Sequence, residues 1–416
     1  MQKISEKDKT ILRRLASRQL EHARSDRNVK LKKEWMEHNT FCGKRPMIHL
    51  ELLTFQDEVI PPLLECEGEE ARQIERSLYM QFVNAEFIGD DYPVPDYYPL
   101  TWDPYLRIFG HQPKRIHAEN SSGNNLAYIY EAIIHDLEED KNKLGKTEYG
   151  LDKAASLAKE AKLNDLFGDI LPVRRVMNSL AVSPTQLVVH LMDMETMYTS
   201  MYDHPDLFHD MMSRIADDVV SFFKWQEHES LLLPTAGCEI LIQGSFCFTD
   251  ELPVVLPDSR PLRTDEVWGY LDSQETVAIS PKMFGEFIFP YYKRIAECYG
   301  LLSYACCEPV HTIWDEYISK LSNLRKISIS SWCDEVMMGE RLCGKKIVYH
   351  RKPTPNIISF GTTLDEAALT DHIKTTLQAA KGCFIEFAQR DVYTIKGDIS
   401  RARRYVEVIR ETIDSF

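Results

Sequence analysis

Short apolar runs that end in polar residues, with helical patterns between them, recur through this chain and constrain its fold more than any other feature. Residues 266–271 lead into Asp272-Ser273-Gln274-Glu275, and residues 323–330 into Ser331-Trp332-Cys333-Asp334. Residues 347–353 carry the cations Arg351 and Lys352 at their end, and residues 383–387 precede Gln389-Arg390-Asp391. Strands alternating with helices pack as a parallel sheet. No glycine-rich phosphate fingerprint follows the first strand, which disfavours an open dinucleotide-binding sheet. The expected architecture is α/β, a (β/α)8 TIM barrel with a helical N-terminal elaboration. Residues 1–40 would form the arm, on the barrel's outside or on a second subunit, and residues 41–416 the barrel.

In such a barrel the chemistry sits at strand C-termini. The most suggestive end is Leu301-Leu302-Ser303-Tyr304-Ala305-Cys306-Cys307-Glu308, an apolar run that turns into two thiols and a carboxylate before Pro309. Thiolate with carboxylate or imidazole suits zinc. The alternative is a pair of small buried side chains beside a helix-capping glutamate. Side-chain alternation lets only one of Cys306 and Cys307 point inward.

In chain order, residues 5–38 are helical, and residues 23–33 are too polar for core. Residues 46–52 form a first strand on which His49 and Glu51 alternate with apolar residues. These two are either a hydrogen-bonded pair inside the barrel or part of the site. A helix covers residues 70–87, a second strand 97–102, and a loop 109–125. Two helical pieces are expected over 126–162. A third strand spans 171–177, helices cover 186–202 and 207–229, and a buried strand 237–244 carries Gln243. A loop over 245–262 follows, and Ser280-Pro281 caps the helix before the central strand. A last helix covers residues 400–413.

Net charge is −15 over 416 residues, with no long basic run, which argues against a nucleic-acid partner. The ten cysteines lack the short spacings of a secreted disulfide scaffold and fit a reducing compartment. No signal-peptide pattern or membrane-length apolar run is present, so a cytoplasmic protein without membrane association is expected.

Several stretches resemble the uroporphyrinogen decarboxylase superfamily, which includes zinc- and corrinoid-linked methyltransferases. The carriers are Ser183-Pro184-Thr185 with the helix to Tyr202-Asp203-His204-Pro205-Asp206, then Ser280-Pro281-Lys282-Met283-Phe284-Gly285-Glu286-Phe287 with Pro290-Tyr291, and Tyr304-Ala305-Cys306-Cys307-Glu308. Residues 170–416 carry most of the similarity. True decarboxylases of the family hold an arginine-rich stretch on the first strand; here Pro46-Met47-Ile48-His49-Leu50-Glu51 has none, so the methyltransferase branch is the nearer one.

That branch binds zinc through a His-x-Cys and a later cysteine. Here the histidine position is Tyr304 and the cysteine Cys306 is kept. The resemblance therefore implies a zinc ligand set drawn from Cys306, Glu308, Glu386 and Cys383, with His311 nearby. Glu308, Tyr304, Gln243 and Asp272 would be catalytic. His49, Glu51, Trp268, Trp332, Tyr349 and Arg351 would bind substrate, with Lys352 beside Arg351 for an anionic group.

The activity implied is movement of a methyl group between a small methylated compound, methoxy or methylthio, or a thiol, and a corrinoid. Zinc would activate a thiolate or polarise a methoxy oxygen. No Asp-x-His-x-x-Gly cobalamin pattern is present, so a separate corrinoid protein is the expected partner, with a homodimer as a further arrangement. The competing readings are a tetrapyrrole- or small-molecule-binding barrel without turnover, and a divergent decarboxylase that needs no metal.

Overall fold

The computed structural model of the chain describes residues 4–117 and 128–416. Within them seven strands form one sheet: β1 (Met47–Leu50), β2 (Leu180–Val182), β3 (Trp268–Leu271), β4 (Leu301–Tyr304), β5 (Leu324–Ile329), β6 (Val348–Arg351) and β7 (Phe384–Gln389). Hydrogen-bonded neighbours run β1-β7-β6-β5-β4-β3-β2. Every pairing is parallel. Parallel neighbours need a crossover of a dozen or more residues, and helices supply most of it between β3 and β7. All the strand C-termini consequently open on one side.

Two expected strands leave this sheet. Tyr98–Leu100 pairs with Val173–Arg175 as a separate two-stranded parallel sheet, and the main-sheet strand is β2, a few residues later. Residues 237–244 do not form a strand, because Ile242, Gln243 and Gly244 have φ of 40°, 63° and 80°. Positive φ is incompatible with an extended run. The segment folds back instead, with Leu241 N–H donating to Ser245 O and Cys247 N–H to Glu239 O. It lies between the two edge strands' neighbourhoods: Ser179 N–H donates to Ile240 O, and His49 Nδ1 meets Gly244 O at 2.9 Å.

The N-terminal arm is two helices, α1 (Glu6–Arg24) and α2 (Asp26–Asn39), broken at Ser25, whose hydroxyl accepts from Asn28 N–H. α1 puts Ile11, Leu12 and Leu15 into the same core as the strands. The polar stretch 23–33 is less exposed than its composition suggests: Asn28 and Leu31 are buried. Asn28 succeeds there because its side chain bonds Ala23 O and both backbone groups of Val94. The expected helix over 70–87 is α3 (Glu69–Val83), continued by a wider turn at Asn84–Ile88.

Residues 126–162 are not two helices. Tyr128–Tyr130 pairs with Arg115–His117, Glu148–Gly150 with Tyr105–Arg107, and one helix runs Lys153–Phe167. The rest of the loop reading at 118–125 and the start at 126–127 lie outside the described residues. Between β3 and β4, helices Pro281–Phe287 and Phe289–Ala296 cover the sheet. Their tight packing uses Gly269 on β3, where any Cβ would lie 2.0 Å from the Tyr299 ring. No helix among the described residues is long and apolar enough to cross a membrane.

Candidate active site

The strand alternation expected through Cys306 and Cys307 ends early. β4 stops at Tyr304, and Ala305 takes φ 79°. This left-handed residue turns the chain so that both thiols end on one side, Sγ to Sγ 3.5 Å. Gln243 is held at φ 63°. Non-glycine residues in this region cost about 1–3 kcal/mol each and persist where surrounding contacts enforce them.

Those two turns bring four elements together on one amide oxygen. Gln243 Oε1 accepts from Lys352 Nζ at 2.7 Å, from Cys306 Sγ at 3.2 Å and from Arg390 Nη1. Lys352 Nζ also donates to Cys306 O at 3.0 Å. Arg390 Nε donates to Glu51 Oε2 at 2.8 Å, and its Nη1 stands 3.9 Å from Cys306 Sγ. Cys307 Sγ faces Asp391 Oδ2 at 3.7 Å. Lys352 is 5% exposed, yet both acceptors it reaches are neutral. Burial lowers its pKa from the ordinary lysine value.

Two carboxyls stand behind this cluster. Glu308 Oε1 accepts from Ser273 N–H at 2.8 Å and Oε2 from Cys306 N–H at 2.7 Å. Ser273 Oγ in turn meets Tyr304 Oη at 2.7 Å. Burial, followed by the neighbouring Asp272, raises Glu308 to about 7 against those backbone donors. Asp272 is also raised, first by burial, although Lys352 and Arg390 act in the other direction. Its Oδ2 accepts from Tyr270 Oη at 2.8 Å, Oδ1 is buried, and hydrogen bonding from Ser183 and Tyr270 opposes the rise.

The thiols differ. The hydrogen bond shared with Cys307, then burial, pushes Cys306 up. The same bond pulls Cys307 below the usual thiol value. Of the two thiols, Cys307 is therefore the one that ionises more readily.

Arg390 separates two cavities. One, about 260 Å³, is lined by Cys307, Trp332, Lys352, Asn356, Arg390 and Asp391. The other, about 290 Å³, lies against His49, Glu51, Gln243 and Arg390.

Of the residues singled out in sequence, Cys306, Glu308, Gln243 and Asp272 come together here. His49, Glu51, Trp332 and Lys352 border the cavities. Tyr304 is fully buried behind Glu308. Three expected substrate contacts are placed elsewhere. Trp268 starts β3 at its far end, its Nε1 donating to Cys247 O. Tyr349 and Arg351 face the helical layer, Tyr349 Oη reaching Glu335 O and Arg351 reaching Glu335 and Thr376. On a strand, residues one apart point to opposite faces, so Lys352 reaches the site and Arg351 does not.

The zinc ligand set is not assembled. Cys383 precedes β7 at its N-terminal end and contacts Gly339 O. Glu386 lies mid-strand, ion-paired to Lys326 at 2.7 Å. His311 accepts from Asp334 N–H. Among the described residues no three His, Cys, Asp or Glu side chains stand together as metal ligands. Beside Cys306, where a dication would have to sit, the chain places the cations Lys352 and Arg390. The donor set does not fit zinc.

Arg390 was not singled out in sequence, although Gln389-Arg390-Asp391 follows a strand end as Asp272 and Glu308 do. That shared position was the available signal.

The molecule is thus an α/β protein whose polar site lies at the C-terminal ends of a parallel sheet. No family model matches the chain, and no curated protein matches it. A solved structure, a methyltransferase from Methanosarcina mazei, is similar at TM-score 0.45 and 11% identity, over 92% of this chain and 98% of that one. It is a distant resemblance.

Proposed function

We propose that this chain is a methyltransferase acting on a small methylated anion at the Gln243 cluster, with a separate corrinoid protein as the other party to methyl exchange. The observation that carries the reading is the convergence of two cations, Lys352 and Arg390, on one neutral oxygen in front of two carboxyls, Asp272 and Glu308, that burial raises above their ordinary values. Lys352 and Arg390 would hold the substrate's negative charge. Asp272 would give a proton to the oxygen or sulfur that loses the methyl group, so that it departs as a neutral hydroxyl or thiol. Positioned acids of this kind contribute about 10²–10⁴-fold. A corrinoid, when bound, would supply the methyl acceptor or donor.

Connections leaving the strand C-termini carry the exposed apolar residues Leu53, Val277, Trp332, Phe360 and Tyr393. This rim is the face from which a partner protein would reach the site. The sheet is proposed to curl into an incomplete barrel, with residues 237–248 standing in the gap between β1 and β2. All ten cysteines are free, which suits a reducing cytoplasm.

The test is methyl transfer between a panel of methylated carboxylates and free cob(I)alamin, followed by absorbance, with metal content measured on the same protein. Wild type should transfer without bound zinc, and Asp272→Asn should lose about 10²-fold or more. Absence of transfer from every compound, or equal rates in Asp272→Asn, would sink the proposal.

A second reading has support from the same two cations: they would also grip the carboxylate of a decarboxylase substrate, with Asp272 protonating the carbanion. Carbon dioxide release in the same panel distinguishes the two.

A further inference from the structure

The larger of the two cavities is unlike the rest of the site. Its walls are Met80 of α3 with Tyr92, Ile240, Ile242 and Phe246, and its one cation is Arg390. At about 290 Å³ it sits at the low end of small-molecule pockets, which begin near about 300 Å³. One aromatic ring or a short branched chain suits that size.

The polar features are few and fixed. Glu51 Oε2, 2.8 Å from Arg390 Nε, occupies the guanidinium with a carboxylate that belongs to the protein. His49 is held by Gly244 O through Nδ1 at 2.9 Å, and its ring packs between Tyr92 and Phe246, centroids 5.6 and 5.1 Å away. That hydrogen bond fixes the proton of the neutral ring on Nδ1 and leaves Nε2 as an acceptor. Gly244 itself sits at φ 80° against Ala388, whose Cβ a side chain there would meet at 3.1 Å. A pocket that is apolar over most of its wall, with one guanidinium at its inner end, matches a monocarboxylate with an apolar body.

We infer that this cavity binds the apolar body of a small aromatic or branched-chain carboxylate, and that the ligand's carboxylate takes the place of Glu51 on Arg390. The inference rests on the proposed function in taking that anion, held beside Gln243, to be the substrate. Glu51 is then a built-in competitor: it satisfies Arg390 while the site is empty and sets how strong an anion must be to enter.

The experiment is calorimetric titration of the purified full-length chain with benzoate, isovalerate, acetate and benzyl alcohol, none of which has a methyl group to transfer from oxygen or sulfur. Benzoate and isovalerate should bind roughly ten-fold or more tighter than acetate, which lacks the body, and than benzyl alcohol, which lacks the charge. Met80→Trp and Ile240→Trp, both at partly exposed positions on the cavity wall, should each weaken benzoate by about ten-fold or more with an unchanged circular dichroism spectrum. Glu51→Gln should tighten it by a few-fold. Benzoate binding no better than acetate, or both tryptophan variants binding like wild type, overturns the inference. Methyl transfer absent with benzoate binding intact defeats the proposed function and leaves the pocket standing; transfer present with no benzoate binding does the reverse.

Discussion

Lys326 and Lys352 are buried lysines on adjacent strands' paths, yet only one belongs to a site. Lys326 Nζ meets Glu386 at 2.7 Å and Ser245 Oγ at 2.6 Å, with His38 and His350 each 3.5 Å from the same carboxylate. Neither Lys326 nor Glu386 lines either cavity at the strand ends. Lys352 meets two neutral oxygens and opens on a cavity. A buried charge with its own counter-ion is part of the fold. A buried charge with neutral partners and an opening beside it is available to an outside anion.

The largest test of this contrast is Glu386→Gln. It strands Lys326 without a counter-charge, and breaking one side of a buried pair costs about 3–5 kcal/mol. Urea unfolding should show that loss; a loss within experimental error would remove the structural role assigned to the interior pair.

Next is pH. Glu386 is held well below the ordinary carboxyl value, where Lys326 and His350 outweigh burial, so its contribution is present above pH 4.5 and is lost as pH falls through the depressed value. Glu308 has the opposite sign. Raised from 4.5 to about 7, it contributes fully below pH 4.5 and loses that contribution as pH rises through 7. The change is on the order of 3 kcal/mol. Unfolding free energies measured from pH 4.5 to 8 should show that decline in wild type and not in Glu308→Gln. A decline of equal size in both would place it elsewhere.

Lys352→Met should lower kcat/KM for an anionic methyl donor by about 10²-fold, the effect of removing a charged contact, about 2–3 kcal/mol. Stability should stay the same or rise, because Lys352 has no counter-ion to strand. Marked destabilisation would make Lys352 a structural charge like Lys326.

The smallest effect is Cys306→Ser, which keeps a donor to Gln243 and should cost only a few-fold in rate, about 1 kcal/mol. A total loss of activity in this variant, with the fold retained, would point to a covalent or metal-ligating thiol and reopen the zinc reading.

The part of the fold legible in sequence is the part encoded locally. Apolar runs between helical patterns mark β3 to β7, and the polar residues at their ends mark Asp272, Glu308 and Lys352. The misplaced residues fail for non-local reasons. Tyr98–Leu100 has strand character, but its partner is Val173–Arg175 and not the main sheet. Arg351 and Lys352 are adjacent and both cationic, and only strand phase decides which one faces the site. Glu386 lies on the last strand, where the resemblance implies a final zinc ligand, but it sits three residues before the end of β7, alongside Lys326 and not alongside Arg390.

By itself the sequence determined the α/β class, the alternation of strands and helices, and the end of the sheet on which polar residues gather, because hydrophobic period and strand termination are properties of neighbouring residues. Tertiary structure alone decided the site. The left-handed turns at Gln243 and Ala305 are held by their surroundings, and residues 243, 306, 352 and 390 meet only because four separate chain segments end at one place.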